Sequence, residues 1–208
     1  MKAQDAALAA LRKIGVVARD EPAEPHDVAE AVVALGAMLR SWSNRRIAVF
    51  QTAEQSVALT MATGYALSPV PMRIHGIRLR RNDVDLPMVE MTRQEYDDLP
   101  LKTATGTPTT WYADRQRDAM TVHVWPAPAV GGATLRITYE RGFGDISLRD
   151  DVPVLPEWDE AVIYNLADRL SDDYERQNEK VTARAEALLA DALAADREGS
   201  VFFAGPCA

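Results

Sequence analysis

The chain has 208 residues, 47% of them hydrophobic and 26% charged, which is typical of a globular protein with one core or a core with an inserted subdomain. No apolar run resembles a membrane span or a secretory signal, and the single cysteine, Cys207, excludes an intrachain disulfide. Without a signal or a disulfide, we expect a cytoplasmic protein. The net charge of −8 argues against general nucleic-acid binding through phosphate neutralisation.

Two helices are predicted at the start of the chain. The first covers about residues 4–14 and ends at Gly15, because glycine readily adopts the left-handed conformation that closes many helices. The second begins near Pro25, since proline suits the first turn of a helix. Its apolar residues recur at intervals of four and three, which predicts one face packed against another helix. These residues are Val28, Val32, Leu35, Leu39 and Trp42.

From about residue 47 the hydrophobic period changes to two, which predicts half-buried β-strands. Alternation is clear over residues 57–61, 120–124 and 135–139. Between the second and third of these runs, residues 126–132 contain two prolines and two glycines, which predicts a hairpin-like turn. We therefore expect a small antiparallel β domain in the middle of the chain.

Two local signals interrupt this β pattern. The apolar phase slips at His75 and Gly76, which predicts a β-bulge. Thr92 followed by Glu95 fits a capping box, in which each side chain satisfies a backbone N–H of the other residue. That pattern predicts a short helix ending before Pro100.

The last third of the chain is predicted to be helical from Pro156 onward. A wholly polar stretch at 176–180 indicates that this helix bends or leaves the core there. The predicted fold class is α+β: N- and C-terminal helices form an antiparallel helical unit into which a β domain is inserted. The predicted divisions are N-terminal helices at 1–45, the β insertion at 46–153, a long C-terminal helix at 154–198 and an extended tail at 199–208.

Charge is distributed unevenly along the chain. Nine carboxylates lie between Asp145 and Asp173, against two arginines. Four arginines crowd one predicted strand: Arg73, Arg78, Arg80 and Arg81. One interpretation is that both clusters are solvated surface. The other is that the patches meet between copies of the protein, because complementary charge fixes register and partner choice.

The residue pattern lacks a catalytic signature. The three histidines, His26, His75 and His123, have no second ligand at a metal-binding spacing. The glycines at 142 and 144 lack the order and the lysine of a phosphate-binding loop. Adjacent carboxylates do not imply the separated pair that a glycosidase needs. We therefore expect neither an enzyme, nor a cofactor, nor a bound metal.

Several segments, taken in this order and spacing, carry a resemblance to known proteins: 8–16, 27–42, 90–96, 106–108, 124–128, 135–139 and 155–158. With them the chain resembles, to about residue 174, the head-to-tail adaptors of tailed phages. These are also called packaged-DNA stabilisation or head-completion proteins. The resemblance implies a structural virion protein at the head–tail junction, assembled in the cytoplasm of the bacterial host.

The resemblance also implies partners. It predicts a ring, usually of twelve copies, beneath the portal protein, with a downstream tail or nozzle protein below it. Packaged DNA would pass through the lumen without sequence-specific binding, and no membrane is involved. Because family members dock on the portal through C-terminal segments, Val201, Phe202 and Phe203 become candidate anchors, beside the four arginines as candidate interface residues.

Two other functions stay open from the sequence. The β insertion could bind a carbohydrate or another tail component through exposed aromatic residues, with Trp111, Tyr112 and Trp125 as candidates, although core packing is the favoured interpretation of all three. A small hydrolase that uses the acidic stretch is the least favoured alternative.

Overall fold

The computed structural model describes residues 1–18, 20–45, 47 and 52–195. Within these residues the helices are α1 (Ala3–Lys13), α2 (Pro25–Asn44), α3 (Arg93–Asp97), α4 (Asp159–Asp173) and α5 (Glu179–Ala195). The strands are β1 (Thr52–Ala58), β2 (Gly64–Ala66), β3 (Arg73–Arg81), β4 (Val84–Pro87), β5 (Val89–Glu90), β6 (Thr105–Gly106), β7 (Thr110–Arg115), β8 (Met120–Trp125), β9 (Ala127–Pro128) and β10 (Thr134–Glu140). The predicted α+β class is confirmed.

The chain divides into two compact units. The helical unit contains the described residues of 1–50 and 143–208, and the β unit contains those of 51–142. The β unit is shorter than the insertion predicted at 46–153. On its C-terminal side the difference arises because Phe143, Ile146 and Val152 pack into the apolar core of the helical unit.

Small residues allow α1 to pack closely in the helical unit. Its alanines at positions 3, 6, 7 and 10 are fully buried, and they share one core with residues of α2, α4 and α5. After Lys13 the helix closes as predicted: Gly15 has a φ of 73°, and the Val16 N–H donates to the Leu11 carbonyl. Trp42 and Trp158 meet edge to face, with ring centroids 5.9 Å apart.

The long C-terminal helix predicted at 154–198 is divided in the structure, which has a 3-10 turn at Pro156–Trp158 and then two separate helices, α4 and α5. The break follows α4, where Glu175 takes a φ of 52°, which a helix cannot contain. The polar stretch at 176–180 marks this break. Asn165 joins the two helices, since its Nδ2 donates to the carbonyls of Ala161 in α4 and Ala185 in α5, at 2.8 and 3.1 Å.

The β unit contains two four-stranded sheets that share one apolar core. The first has the order β1-β10-β3-β4 and is antiparallel throughout. The second has the order β2-β8-β7-β5, in which β5 runs parallel to β7. Outside both sheets, β6 and β9 form a separate parallel pair. The prediction of a wholly antiparallel domain is therefore corrected at these two short pairings.

Two local predictions are confirmed in the β unit. The register between β3 and β10 shifts so that Thr138 and Tyr139 face Gly76 and Ile74, which leaves His75 as the bulged residue. The capping box of α3 is complete, with bonds between Thr92 and Glu95 in both directions. These hydrogen bonds hold the pKa of the Glu95 carboxyl below its usual value.

Candidate interaction surfaces

The four arginines predicted as interface residues all lie on β3, and the strand separates them onto two faces. Side chains of a strand alternate between its faces. Arg78 and Arg80 therefore lie on the outer face of the first sheet, opposite the buried Ile77 and Leu79. Arg81, two residues after Leu79, lies on the same face of the strand as Leu79, which is the face that packs on the core.

The outer face carries a connected set of ion pairs. Arg78 lies 3.1 Å from Glu54 of β1 and 3.9 Å from Asp85 of β4. Arg80 lies 3.7 Å from the same Asp85, and Arg136 of β10 lies 3.3 Å from Glu54. We call these five residues the ion-pair face. Its arginines already have partners within the chain, so little net positive charge remains to attract another molecule.

Arg73, at the other end of β3, lies 3.9 Å from the carboxylate of Glu140, which is buried. Arg81 differs from the other three arginines, because it forms no ion pair or hydrogen bond through its side chain with any described residue. It is also half-buried. Among the described residues, Arg81 is thus the predicted interface arginine whose charge has no partner.

Arg81 lines a cavity of about 160 Å³ in the β unit. The walls are mainly apolar, and the lining side chains include Leu59, Leu79, Arg81, Pro108, Pro128 and Val130. We call this site the Arg81 pocket. Val130 is 57% exposed at its rim. An unpaired guanidinium beside apolar walls suits a ligand group that combines a carboxylate with an aliphatic side chain.

The edge strand β4 extends the apolar surface beside this pocket. A two-residue turn with positive φ at Asn82 and Asp83 joins β3 to β4, which is the geometry of tight hairpins. Val84 then pairs with Arg81, and Leu86 with Leu79. Because paired residues share a face of the sheet, Val84 and Leu86 lie next to the pocket-lining side chains. They are 55% and 47% exposed.

The three candidate aromatic residues of the β unit do not form an open binding platform. Trp111 is buried in the core shared by the two sheets. Tyr112 stacks under Tyr96 of α3 with a centroid distance of 5.2 Å, and burial raises the pKa of both phenols. Trp125 donates its Nε1–H to the Leu101 carbonyl at 3.1 Å. This arrangement argues against stacking of a sugar ring on these residues.

The carboxylates of the acidic stretch at 145–173 are spread over the helical unit. Several have a basic partner in the chain: Asp145 with Arg40, Asp151 with Lys2 and Glu160 with Arg184. The bond from Lys2 holds the pKa of the Asp151 carboxyl below its usual value. Glu157 is exposed and forms no ion pair with a described residue. It follows Leu155, an exposed apolar residue of the same turn.

The sequence of the chain matches the model of one protein family over residues 1–204, and that family is described as SU10 adaptor protein. The chain belongs to this family. The predicted resemblance to the head-to-tail adaptors of tailed phages is therefore confirmed, and the chain is a structural protein of the adaptor type. No curated protein matches it.

The family match extends further along the adaptor than the sequence resemblance did. That resemblance ended at about residue 174, whereas the matched region includes Val201, Phe202 and Phe203. These three candidate anchors lie outside the described residues. Their docking on the portal stays a prediction.

In the described part of the adaptor, no three His, Cys, Asp or Glu side chains are placed to hold a metal ion. None of the described helices is long and apolar enough to cross a membrane. The sequence reasoning missed the Arg81 pocket. The signal was available, because Arg81 continues the two-residue alternation of Ile77 and Leu79, whereas Arg78 and Arg80 do not.

Proposed function

We propose that the adaptor assembles as a ring of twelve copies beneath the portal of a tailed phage. The ring extends the DNA channel, helps to retain packaged DNA and offers a platform for a tail or nozzle protein. Assembly takes place in the host cytoplasm, and the ring remains in the virion. The observation that carries this proposal is the family match over residues 1–204.

The distribution of exposed apolar residues supports an assembling protein. Seven of the ten large apolar side chains that are exposed among the described residues lie in the β unit. Val84, Leu86 and Val130 belong to this set, and they lie on or beside the Arg81 pocket. Clustered apolar exposure beside a charged group is typical of a protein–protein contact.

The charge of the chain supports passage of DNA without binding. A net charge of −8 per copy gives a twelve-copy ring a large negative charge. Proteins that hold DNA through its phosphates neutralise them with lysine and arginine, which this chain carries in smaller number than carboxylates. An acidic lumen repels the backbone and lets the duplex slide.

The interface residues have three roles in this proposal. Val201, Phe202 and Phe203 anchor the adaptor on the portal. Three arginines keep their ion-pair partners within the chain: Arg73, Arg78 and Arg80. They present a surface of balanced charge to neighbouring copies, and its pattern of charges favours one alignment of the two surfaces over others. Arg81, which has no ion-pair partner among the described residues, supplies a positive charge for the contact between copies.

The test is mass determination by light scattering, on the purified adaptor alone and mixed with its cognate portal. We expect a stoichiometric ring on the portal. The double variant Phe202→Ser/Phe203→Ser is expected to lose portal binding, whereas Val33→Ser, at an exposed apolar position of α2, is the matched control and keeps it. A wild-type chain that stays unassociated with the portal would contradict the proposed function.

A further inference from the structure

The size and lining of the Arg81 pocket restrict the kind of group that can bind there. Its volume of about 160 Å³ is smaller than the roughly 300–1,000 Å³ of small-molecule sites, and it suits one or two side chains. Its walls are mainly apolar, and the Arg81 guanidinium, which has no ion-pair partner among the described residues, attracts a carboxylate. The occupant is therefore an aliphatic side chain with an acidic group close by in its sequence.

The chain itself presents such a group at the start of its C-terminal helices. Leu155 is 44% exposed, and Glu157 is exposed and unpaired among the described residues. Both lie at the 3-10 turn Pro156–Trp158, where the Trp158 N–H donates to the Leu155 carbonyl at 2.9 Å. The turn thus offers an aliphatic group and a carboxylate two residues apart.

The turn is held in place before any contact forms. Trp158 is buried and meets Trp42 edge to face in the core of the helical unit. Val154, just before the turn, also packs against that core. A segment fixed in this way loses little conformational entropy on binding, which strengthens an interface formed by few residues.

We propose that the Arg81 pocket receives Leu155 and Glu157 of a second copy of this chain. Leu155 fills the apolar space beside Val130, and Glu157 pairs with the Arg81 guanidinium. The two surfaces are complementary in charge: one has a cation with no described partner beside exposed aliphatic groups, and the other has a carboxylate with no described partner beside an exposed leucine.

Such a contact is heterologous, because the two surfaces that meet are different. Each copy then offers a pocket to one neighbour and a turn to the other, so the contact propagates from copy to copy and closes into a ring if the rotation allows it. The inference rests on the proposed ring and identifies the residues that join its copies.

Cross-linking on the assembled ring tests the contact. In a Cys207→Ser background, Val130→Cys and Leu155→Cys are combined in one chain, assembled on the cognate portal, and treated with a short bis-maleimide. Light scattering before treatment establishes that the ring has formed. We expect a ladder of covalent multimers on a denaturing gel, because each copy is linked on both sides, whereas either single-cysteine variant yields no ladder.

Charge exchange gives an independent test in the same complex. Arg81→Glu and Glu157→Arg are each expected to weaken ring assembly at least tenfold, and the double variant is expected to recover most of the loss. Arg117→Glu, at an exposed loop position, is the matched control and leaves assembly unchanged.

The outcomes separate the inference from the proposed function. A ring of full mass that gives no ladder, or in which the thiol introduced by Val130→Cys is linked to the portal instead, overturns the inference and leaves the ring intact. Absence of any ring with wild-type protein overturns both.

Discussion

The helical unit and the β unit use their side chains in different ways. The helical unit is built around small and aliphatic residues that are fully buried, and its described surface exposes only three large apolar side chains. The described part of the β unit has its own core, an outer sheet face crossed by ion pairs, and seven exposed large apolar side chains. The exposed large apolar side chains of the described residues are thus concentrated on the β unit, where we expect the apolar half of the contact between copies.

The largest expected effects come from the two cores. Leu35 in α2 and Leu135 in β10 are both fully buried, and each belongs to a different core. Replacing either leucine with alanine is expected to lower the free energy of unfolding by about 3 kcal/mol through lost burial and a residual cavity. Val33→Ala, at an exposed position, is the control and should change it by less than about 0.5 kcal/mol.

Hydrogen exchange on the same two variants tests whether the units are separate. Leu35→Ala is expected to speed exchange in α1, α2 and α4, and Leu135→Ala in the strands of the two sheets. Faster exchange throughout the chain in both variants would show one cooperative unit and remove the basis of the comparison.

A smaller effect is expected at the junction of α4 and α5. Asn165→Ala removes the side-chain hydrogen bonds to Ala161 and Ala185, and should cost about 1–2 kcal/mol with faster exchange concentrated in α5. Gln177→Ala breaks an exposed bond to Asp172 in the adjoining turn and is the matched control. Equal exchange rates in the two variants would show that Asn165 does not hold α5.

Tyr174 gives a pH-dependent effect in the helical unit. Its hydroxyl donates to Asp27 Oδ1 at 3.1 Å, and burial together with this bond raises the pKa of Tyr174 to about 12. In the unfolded chain a tyrosine pKa is about 10. Because the native state favours the neutral phenol, the contribution of Tyr174 to the free energy of unfolding is complete below pH 10. It is lost as the pH rises towards 12.

Denaturant unfolding at a series of pH values compares wild type with Tyr174→Phe. The variant is expected to be about 1 kcal/mol less stable below pH 10, and the difference should shrink as the pH rises from 10 to 12. Parallel stability curves for the two proteins across this range would contradict the assigned hydrogen bond.

The smallest effect is expected on the ion-pair face. Arg78 is partly exposed and contacts Glu54 and Asp85, so Arg78→Ala should lower stability by less than about 1 kcal/mol and by still less at high salt. Arg117→Ala, at an exposed pair, serves as control. A loss of stability above about 2 kcal/mol that does not depend on salt would contradict this, because it would show that the ion-pair face stabilises the fold as much as buried apolar residues do.

Much of the fold could be predicted because period and capping are local properties. The stripe of α2, the closure at Gly15, the bulge at His75 and the capping box at Thr92 depend on residues close in sequence. The parallel pairing of β5 with β7 depends on residues 21 apart, Val89 and Thr110, and has no local signature.

The interaction surface was harder to predict for the same reason. Sequence proximity grouped Arg78, Arg80 and Arg81 as one cluster, but both carboxylates that pair with Arg78, those of Glu54 and Asp85, come from other strands. Only the assembled sheet shows that Arg81 faces apolar walls from Leu59 and Pro128.

Hydrogen exchange of the adaptor, free and bound in the portal complex, tests most directly whether the copies meet through the β unit. We expect binding to slow exchange at 81–86 and 128–133 in the β unit and at 155–157 in the helical unit. Unchanged exchange at these three segments, with protection confined to other parts of the helical unit, would contradict it.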